Sequence, residues 1–204
     1  TTAASVSAAD QLTRRAEEAE RLLDQGGTII LVGRPNASVS GVIGFEGCDR
    51  YSWLPAPDGA SWGPPHLRAA EGKTIRIVDD HHPIAEVIRD YRRDAVYRAV
   101  LGPRFLRAYK GARVIAAGGA DLPIAAEIPV LAGRVIVVPV FKPVTGATRA
   151  RLAQSIVEAI NEVVAGDVAE RPPAWVAGLA LPGSEQVEAE FEEAEATAAA
   201  AAVP

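Results

Sequence analysis

Residues 134–141 read Arg-Val-Ile-Val-Val-Pro-Val-Phe, an apolar run too short for a helix and rich in β-branched side chains. Consecutive apolar residues of this kind suit a strand buried on both faces, where alternation is not required. Three further runs have the same character: Thr28–Val32 (TIILV), Thr74–Val78 (TIRIV) and Arg113–Ala117 (RVIAA). Between and after them the spacing turns helical. Ile84, Val87, Ile88, Tyr91 and Ala95 fall on one helical face from Pro83 until Gly102-Pro103 breaks it, and Arg104–Lys110 continues as a second helical piece. Leu122–Leu131 reads as a short helix. Leu152, Ile156, Ile160, Val163 and Val164 line a longer one that Gly166 closes, and Trp175–Leu181 completes the pattern as a last strand. Strand and helix alternating from 74 to 181 predict right-handed crossovers and a mostly parallel sheet. The expected fold is therefore α/β, a Rossmann-like three-layer domain.

The flanks differ from this core. Ser7 is placed to cap a helix running to Gln25, with Leu12, Ala16, Ala19, Leu22 and Leu23 at helical spacing and Gly26-Gly27 as its stop. Residues 33–73 are irregular and proline-rich, with a short strand expected at Val42–Phe45; so long a segment is either a functional loop or an insertion packed by Tyr51, Trp53 and Trp62. The chain thus divides into an N-terminal helix (1–27), a single α/β domain (28–183) holding that insertion, and a tail (184–204) rich in alanine and glutamate. The tail carries Glu185, Glu188, Glu190, Glu192, Glu193 and Glu195 without a lysine or arginine. The whole chain has a formal charge of −5, so residues 1–183 stand at about +1.

That near-neutral body argues against nucleic acid as an obligatory partner. It does contain a basic band, in which Arg89, Arg92, Arg93, Arg98, Arg104, Arg107, Lys110 and Arg113 outnumber Asp90 and Asp94. Cys48 is the only cysteine, which excludes an internal disulfide and a cysteine-rich zinc site and favours a reducing compartment. With no apolar run long enough to span a bilayer and no signal-peptide pattern at the start, the expectation is a cytoplasmic protein without a membrane partner.

Ligands of open parallel sheets gather at the carboxyl ends of the strands. That rule selects Gly33–Ser40, Asp79–His82, Gly118–Asp121 and Lys142–Gly146 as parts of one expected rim. Gly33 and Arg34 open a loop with the outline of a GTPase-type phosphate loop, yet Ser38 and Val39 stand where its second glycine and its lysine belong, which removes the triphosphatase reading. Asp79-Asp80-His81-His82 after a strand resembles one motif of the DHH phosphoesterases, and the resemblance implies a metal-holding or acid–base role. Read from the residues alone, the same segment is a polar turn in which Asp80 or His81 caps the helix beginning near Pro83.

Arg113–Val140 runs strand, Gly118-Gly119 loop, short helix, strand. This resembles the core of the aminoimidazole ribonucleotide carboxylase/mutase superfamily and of the lysine-decarboxylase-like phosphoribohydrolases. The resemblance implies a glycine loop approaching a nucleotide phosphate. Ala120-Asp121 stands where the mutases carry a histidine, and the second glycine-rich motif of the phosphoribohydrolases is missing.

Two readings follow. One is an α/β protein that binds a nucleotide or phosphorylated metabolite, with Gly33, Arg34, Gly118, Gly119, Lys142 and Arg149 as ligand-binding residues and Asp79, His81, His82 and Asp121 as candidate catalytic groups. No cofactor is specified, and the reaction is unassigned. The other is a non-catalytic subunit of a larger homo- or hetero-oligomeric assembly, docking through its first helix and tail.

Overall fold

A computed structural model describes residues 11–35, 50–55, 62, 67–102, 106, 111–142 and 145–166. Among these residues the helices and strands that build the core are, in chain order, α1 (Ala16–Asp24), β1 (Thr28–Val32), β2 (Leu67–Gly72), β3 (Arg76–Ile77), α2 (Pro83–Asp90), β4 (Ala95–Leu101), β5 (Arg113–Ala117), β6 (Pro123–Val130), β7 (Gly133–Val138), β8 (Val140–Phe141) and α3 (Gly146–Ala165). Five strands form a sheet in the order β1-β7-β6-β5-β3, and β2-β4-β8 form a second.

The mostly parallel, Rossmann-like sheet expected from the sequence is not what forms. Only β1 and β7 pair in parallel; β7–β6, β6–β5, β5–β3 and every pair of the second sheet are antiparallel. Two misread segments account for this. Leu122–Leu131, expected to be a crossover helix, contains strand β6, so β5, β6 and β7 follow one another as hairpins and no crossover is needed. A helix there would have lost a hydrogen bond at Pro129. In the sheet β5 begins at Arg113, opposite Glu127, so Pro129 lies past the end of that strand and its missing N–H interrupts no ladder with it. The helix from Pro83 likewise stops at Asp90, and the β-branched, aromatic segment Ala95–Leu101 becomes β4. The expected strand 74–78 shortens to Arg76–Ile77. The proposed Ser7 cap, the strands at 42–45 and 175–181, the acidic tail, and all of 104–110 except Leu106 lie outside the described residues.

Alternation along the strands divides the core between two faces of the five-stranded sheet. On one, Ile29, Leu31, Val114, Ala126, Ile128, Val135 and Val137 pack with Leu23 of α1 and with Tyr51, Trp53 and Trp62, so these three aromatics of the irregular segment are core residues. On the other, Ile115, Ile124, Ile136 and Val138 pack with Ile84 and Ile88 of α2 and Leu152, Ala159 and Val163 of α3. Each large aliphatic side chain buried this way contributes about 1.5–3 kcal/mol.

Gly119–Leu122, which joins β5 to β6, is a tight turn with Ala120 (φ 52°, ψ 28°) and Asp121 (φ 55°) both left-handed, the type I′ pattern that matches hairpin twist. Alanine has no local hydrogen bond to offset that conformation, which costs about 1–2 kcal/mol in an L-residue. Ala120 is exposed. Replacement Ala120→Gly is therefore expected to stabilise the protein by about 1 kcal/mol, seen as a higher urea midpoint at unchanged slope. A lower midpoint would contradict the turn assignment.

Candidate functional site

Strand direction decides which expected site residues meet. β1, β7 and β5 point the same way, so Gly33-Arg34, Gly118–Asp121 and the chain entering β8 and Lys142 emerge at one edge of the sheet. Gly33 and Gly118 are separated there by three strand spacings, roughly 14 Å. β3 runs antiparallel to β5, and its carboxyl end delivers Asp79–His82 toward the opposite edge, where Val78 and Asp79 N–H groups donate to the Ile115 carbonyl. The described residues of these segments do not make one rim: Gly33-Arg34, Gly118–Asp121 and Lys142 share an edge and Asp79–His82 is apart.

At that opposite end the side chains form a buried polar network. His82 is fully buried and caps α2, its Nδ1 accepting the Ile84 N–H at 3.1 Å; the cap is thus His82 rather than Asp80 or His81. With Nδ1 so engaged, the neutral ring carries its hydrogen on Nε2, which lies 2.9 Å from Glu127 Oε2. Glu127 Oε1 accepts from Arg134 Nη1 at 3.1 Å. Glu127 and Arg113 are direct cross-strand partners, and Arg113 forms an ion pair with Asp79, buried on both sides. Asp79 Oδ1 also accepts the His81 N–H at 3.2 Å, while the His81 ring is exposed beside Asp80. Burial pushes the Glu127 carboxyl up, but the His82 hydrogen bond and the charges around it, including Arg134 and Arg113, outweigh this and hold it below the ordinary carboxylate value. Asp79, His82, Arg113, Glu127 and Arg134 each have a partner within it, and of these five only Arg134 is appreciably accessible, at 23%. The arrangement fixes α2 to the sheet. Glu127 and Arg134 were not among the expected site residues, since only the β5–β6–β7 register brings them to Arg113 and His82.

The Gly118-Gly119 pair is occupied by protein. Gly119 N–H donates to the Tyr97 hydroxyl at 3.1 Å. A Cβ on Gly118 would stand 2.8 Å from the Tyr97 ring, and one on Gly72 would overlap its hydroxyl. The glycines admit a tyrosine, and a hairpin turn follows them in place of a helix N-terminus. Asp121 pairs with Arg76 at 2.5 Å on the surface. Gly33 N–H bonds Val138 O at 2.8 Å; the Arg34 N–H and carbonyl both bond the Tyr51 hydroxyl, at 3.0 and 2.5 Å.

No family model matches the chain, and no curated protein or solved structure matches it. The chemistry therefore rests on the geometry alone. Among the described residues no group of three or more His, Cys, Asp or Glu side chains is arranged to hold a metal ion, and no helix is long and apolar enough to cross a membrane.

What the fold does assemble is a cationic corner. Lys142 N–H donates to the Asp94 carbonyl at 2.7 Å, and Phe141 meets Tyr91 edge to face, so the turn after α2 is held beside the end of β8. This brings Arg89, Arg92 and Arg93 to the edge that Lys142 occupies. Thr145, three residues further on, caps α3 by accepting the Thr148 N–H at 3.1 Å, and Arg149 lies in that first turn. Arg89, Arg92, Arg93, Lys142 and Arg149 are all exposed, and none enters an ion pair among the described residues; Asp90 and Asp94 are the nearby acids. Arg92 and Arg93 were legible only as members of a basic band; the β4–β8 pairing gives them neighbours.

Proposed function

We propose that the protein binds a phosphorylated small molecule or nucleotide at this cationic corner. The observation that supports the reading is the Lys142–Asp94 backbone bond, which gathers basic residues from the α2–β4 turn, β8 and α3 onto one sheet edge. Phosphate is the ligand chemistry that several convergent guanidinium groups and one ammonium favour. Lys142 and Arg149 carry the reading; Gly118 and Gly119 do not, because the Gly119 N–H is already used by Tyr97. The chain's single cysteine agrees with a cytoplasmic setting.

The test is a thermal-shift and calorimetric panel of pyrophosphate, sugar phosphates and nucleotides. At least one compound is expected to bind with an affinity that falls as salt rises. The double variant Lys142→Glu, Arg149→Glu is expected to bind it at least tenfold more weakly without loss of stability. A flat response over the whole panel would refute the reading.

A second reading, a non-catalytic assembly subunit, is favoured by apolar surface elsewhere. Val157 and Val164 on the outer face of α3 are 54% and 59% exposed. An open hollow of about 220 Å³ beside α1 is lined by Leu12, Ala19, Leu22, Ile29 and Trp53, with the Arg15 and Glu18 side chains at its wall. A flat ligand panel together with a sedimentation mass above that of one chain would select this reading instead.

A further inference from the structure

We propose that the acidic segment 185–195 of this same chain docks on the cationic corner and competes there with the anionic ligand; the inference rests on reading that corner as an anion site. Two observations meet in it. Arg89, Arg92, Arg93, Lys142 and Arg149 stand exposed on one edge without a carboxylate partner among the described residues. The segment 184–204, in turn, holds six glutamates and no basic residue, so its charge has no local counterpart.

Reach permits the contact. α3 leaves the corner and, at 20 residues, is about 30 Å long. The 19 residues from Gly166 to Glu185 reach up to about 60 Å when extended. Individual exposed ion pairs are weak, on the order of 0–1 kcal/mol each. A tethered segment nevertheless acts at an effective concentration in the millimolar range, so several such pairs together compete with a free anion. A ligand then displaces the segment, and removing the segment's charge raises affinity for the ligand by the same coupling.

The lysine content makes the test clean, because Lys73, Lys110 and Lys142 are the only lysines. Carbodiimide coupling of the full chain at low salt, read by mass spectrometry, is expected to join Lys142 to Glu185–Glu195 at least fivefold more than it joins Lys73. High salt and the double variant Arg92→Glu, Arg93→Glu are each expected to abolish that preference. Equal yields at the three lysines, or a Lys142 link indifferent to charge reversal, would overturn the proposal. Links found between labelled and unlabelled chains, in place of links within one chain, would overturn the intrachain assignment.

Inorganic pyrophosphate supplies the second arm, titrated into the full chain and into a full-length variant with the six tail glutamates changed to glutamine. About tenfold tighter binding by the variant is expected. Equal binding by both proteins overturns the tail proposal and leaves the phosphate reading standing. If neither binds while the Lys142 link forms and responds to charge reversal, the tail contact stands and the phosphate reading falls.

Discussion

Replacing Glu127 by alanine is expected to cost about 3–5 kcal/mol, because it breaks a buried charge network from its centre. Glu127 is 8% exposed and serves His82 and Arg134 directly, with Arg113 as its cross-strand partner. Without its carboxylate, the His82 Nε2–H loses its acceptor and the Arg134 guanidinium its partner, both beneath α2. The His82 cap is loosened as well, since the ring is held between the Ile84 N–H and Glu127. Urea unfolding at neutral pH measures the loss as a lower midpoint. A change below about 1 kcal/mol would show that the network is dispensable. Glu127→Gln keeps the shape and one acceptor and is expected to fall between the two proteins.

The same residue makes stability depend on pH in a defined sense. Its pKa in the folded protein lies below the ordinary value of 4.5. A carboxyl depressed on folding contributes stability that is fully present above its unfolded pKa and is lost as pH falls through the folded one. The wild-type protein should therefore weaken progressively on acidification below about pH 4.5, and Glu127→Gln should lack that part of the slope.

The Glu127 network also shows where reading the chain stopped. Strands at 28–32 and 113–117, the α3 helix and the polar turn before Pro83 were legible, because each is specified by its own residues, whereas the run 134–141 expected as one strand divides into β7 and β8 of different sheets. β6 was not. Leu122, Ala125, Ala126 and Glu127 are good helix formers, and their local preference concealed the alternation of Ala126, Ile128 and Val130, which one sheet face selects. Reading a helix there turned two hairpins into one crossover and left β5 and β7 as parallel neighbours. Reading β4 as the continuation of the helix from Pro83 made a crossover of the link from β3 to β5 and put Asp79–His82 on the same rim as Gly118, whereas the antiparallel β3 carries them to the other end. The ion pairs of Glu127 followed the same fate, since partners separated by 45 and 7 residues become neighbours only through the strand register. Conversely, Gly118-Gly119 was visible, but its purpose was not: Tyr97, which fills the space those glycines leave, sits on a strand read as helix.

Gly133 gives the second large effect, and it tests how α1 is seated. Gly133 opens β7 after the hairpin in which Val130 pairs with it and Leu131 is left-handed (φ 57°). The turn between α1 and β1 crosses directly over it: a Cβ there would overlap the Gly27 carbonyl oxygen and lie 2.8 Å from Leu23 O and 3.0 Å from Leu23 Cα. All three are backbone atoms, so no side-chain rotation relieves the overlap. Gly27 O meanwhile accepts the Arg134 N–H at 3.1 Å, a bond that ties the turn to β7 and must lengthen if the turn lifts. Leu23, fully buried, would be drawn out of the core with it. Gly133→Ala is accordingly expected to destabilise by about 3 kcal/mol, at the upper end of overpacking costs. Gly26→Ala, whose Cβ would meet only Ala132 O at 3.8 Å, separates the two effects available to a glycine. Its φ of 83° makes its cost one of backbone strain, about 1 kcal/mol, with no displacement of α1. Hydrogen exchange distinguishes them. Gly133→Ala should deprotect the amides of α1 selectively, while Gly26→Ala lowers global stability and leaves α1 as protected as the sheet. Equal, small losses for both variants would mean that α1 is not held against β7 by this backbone contact.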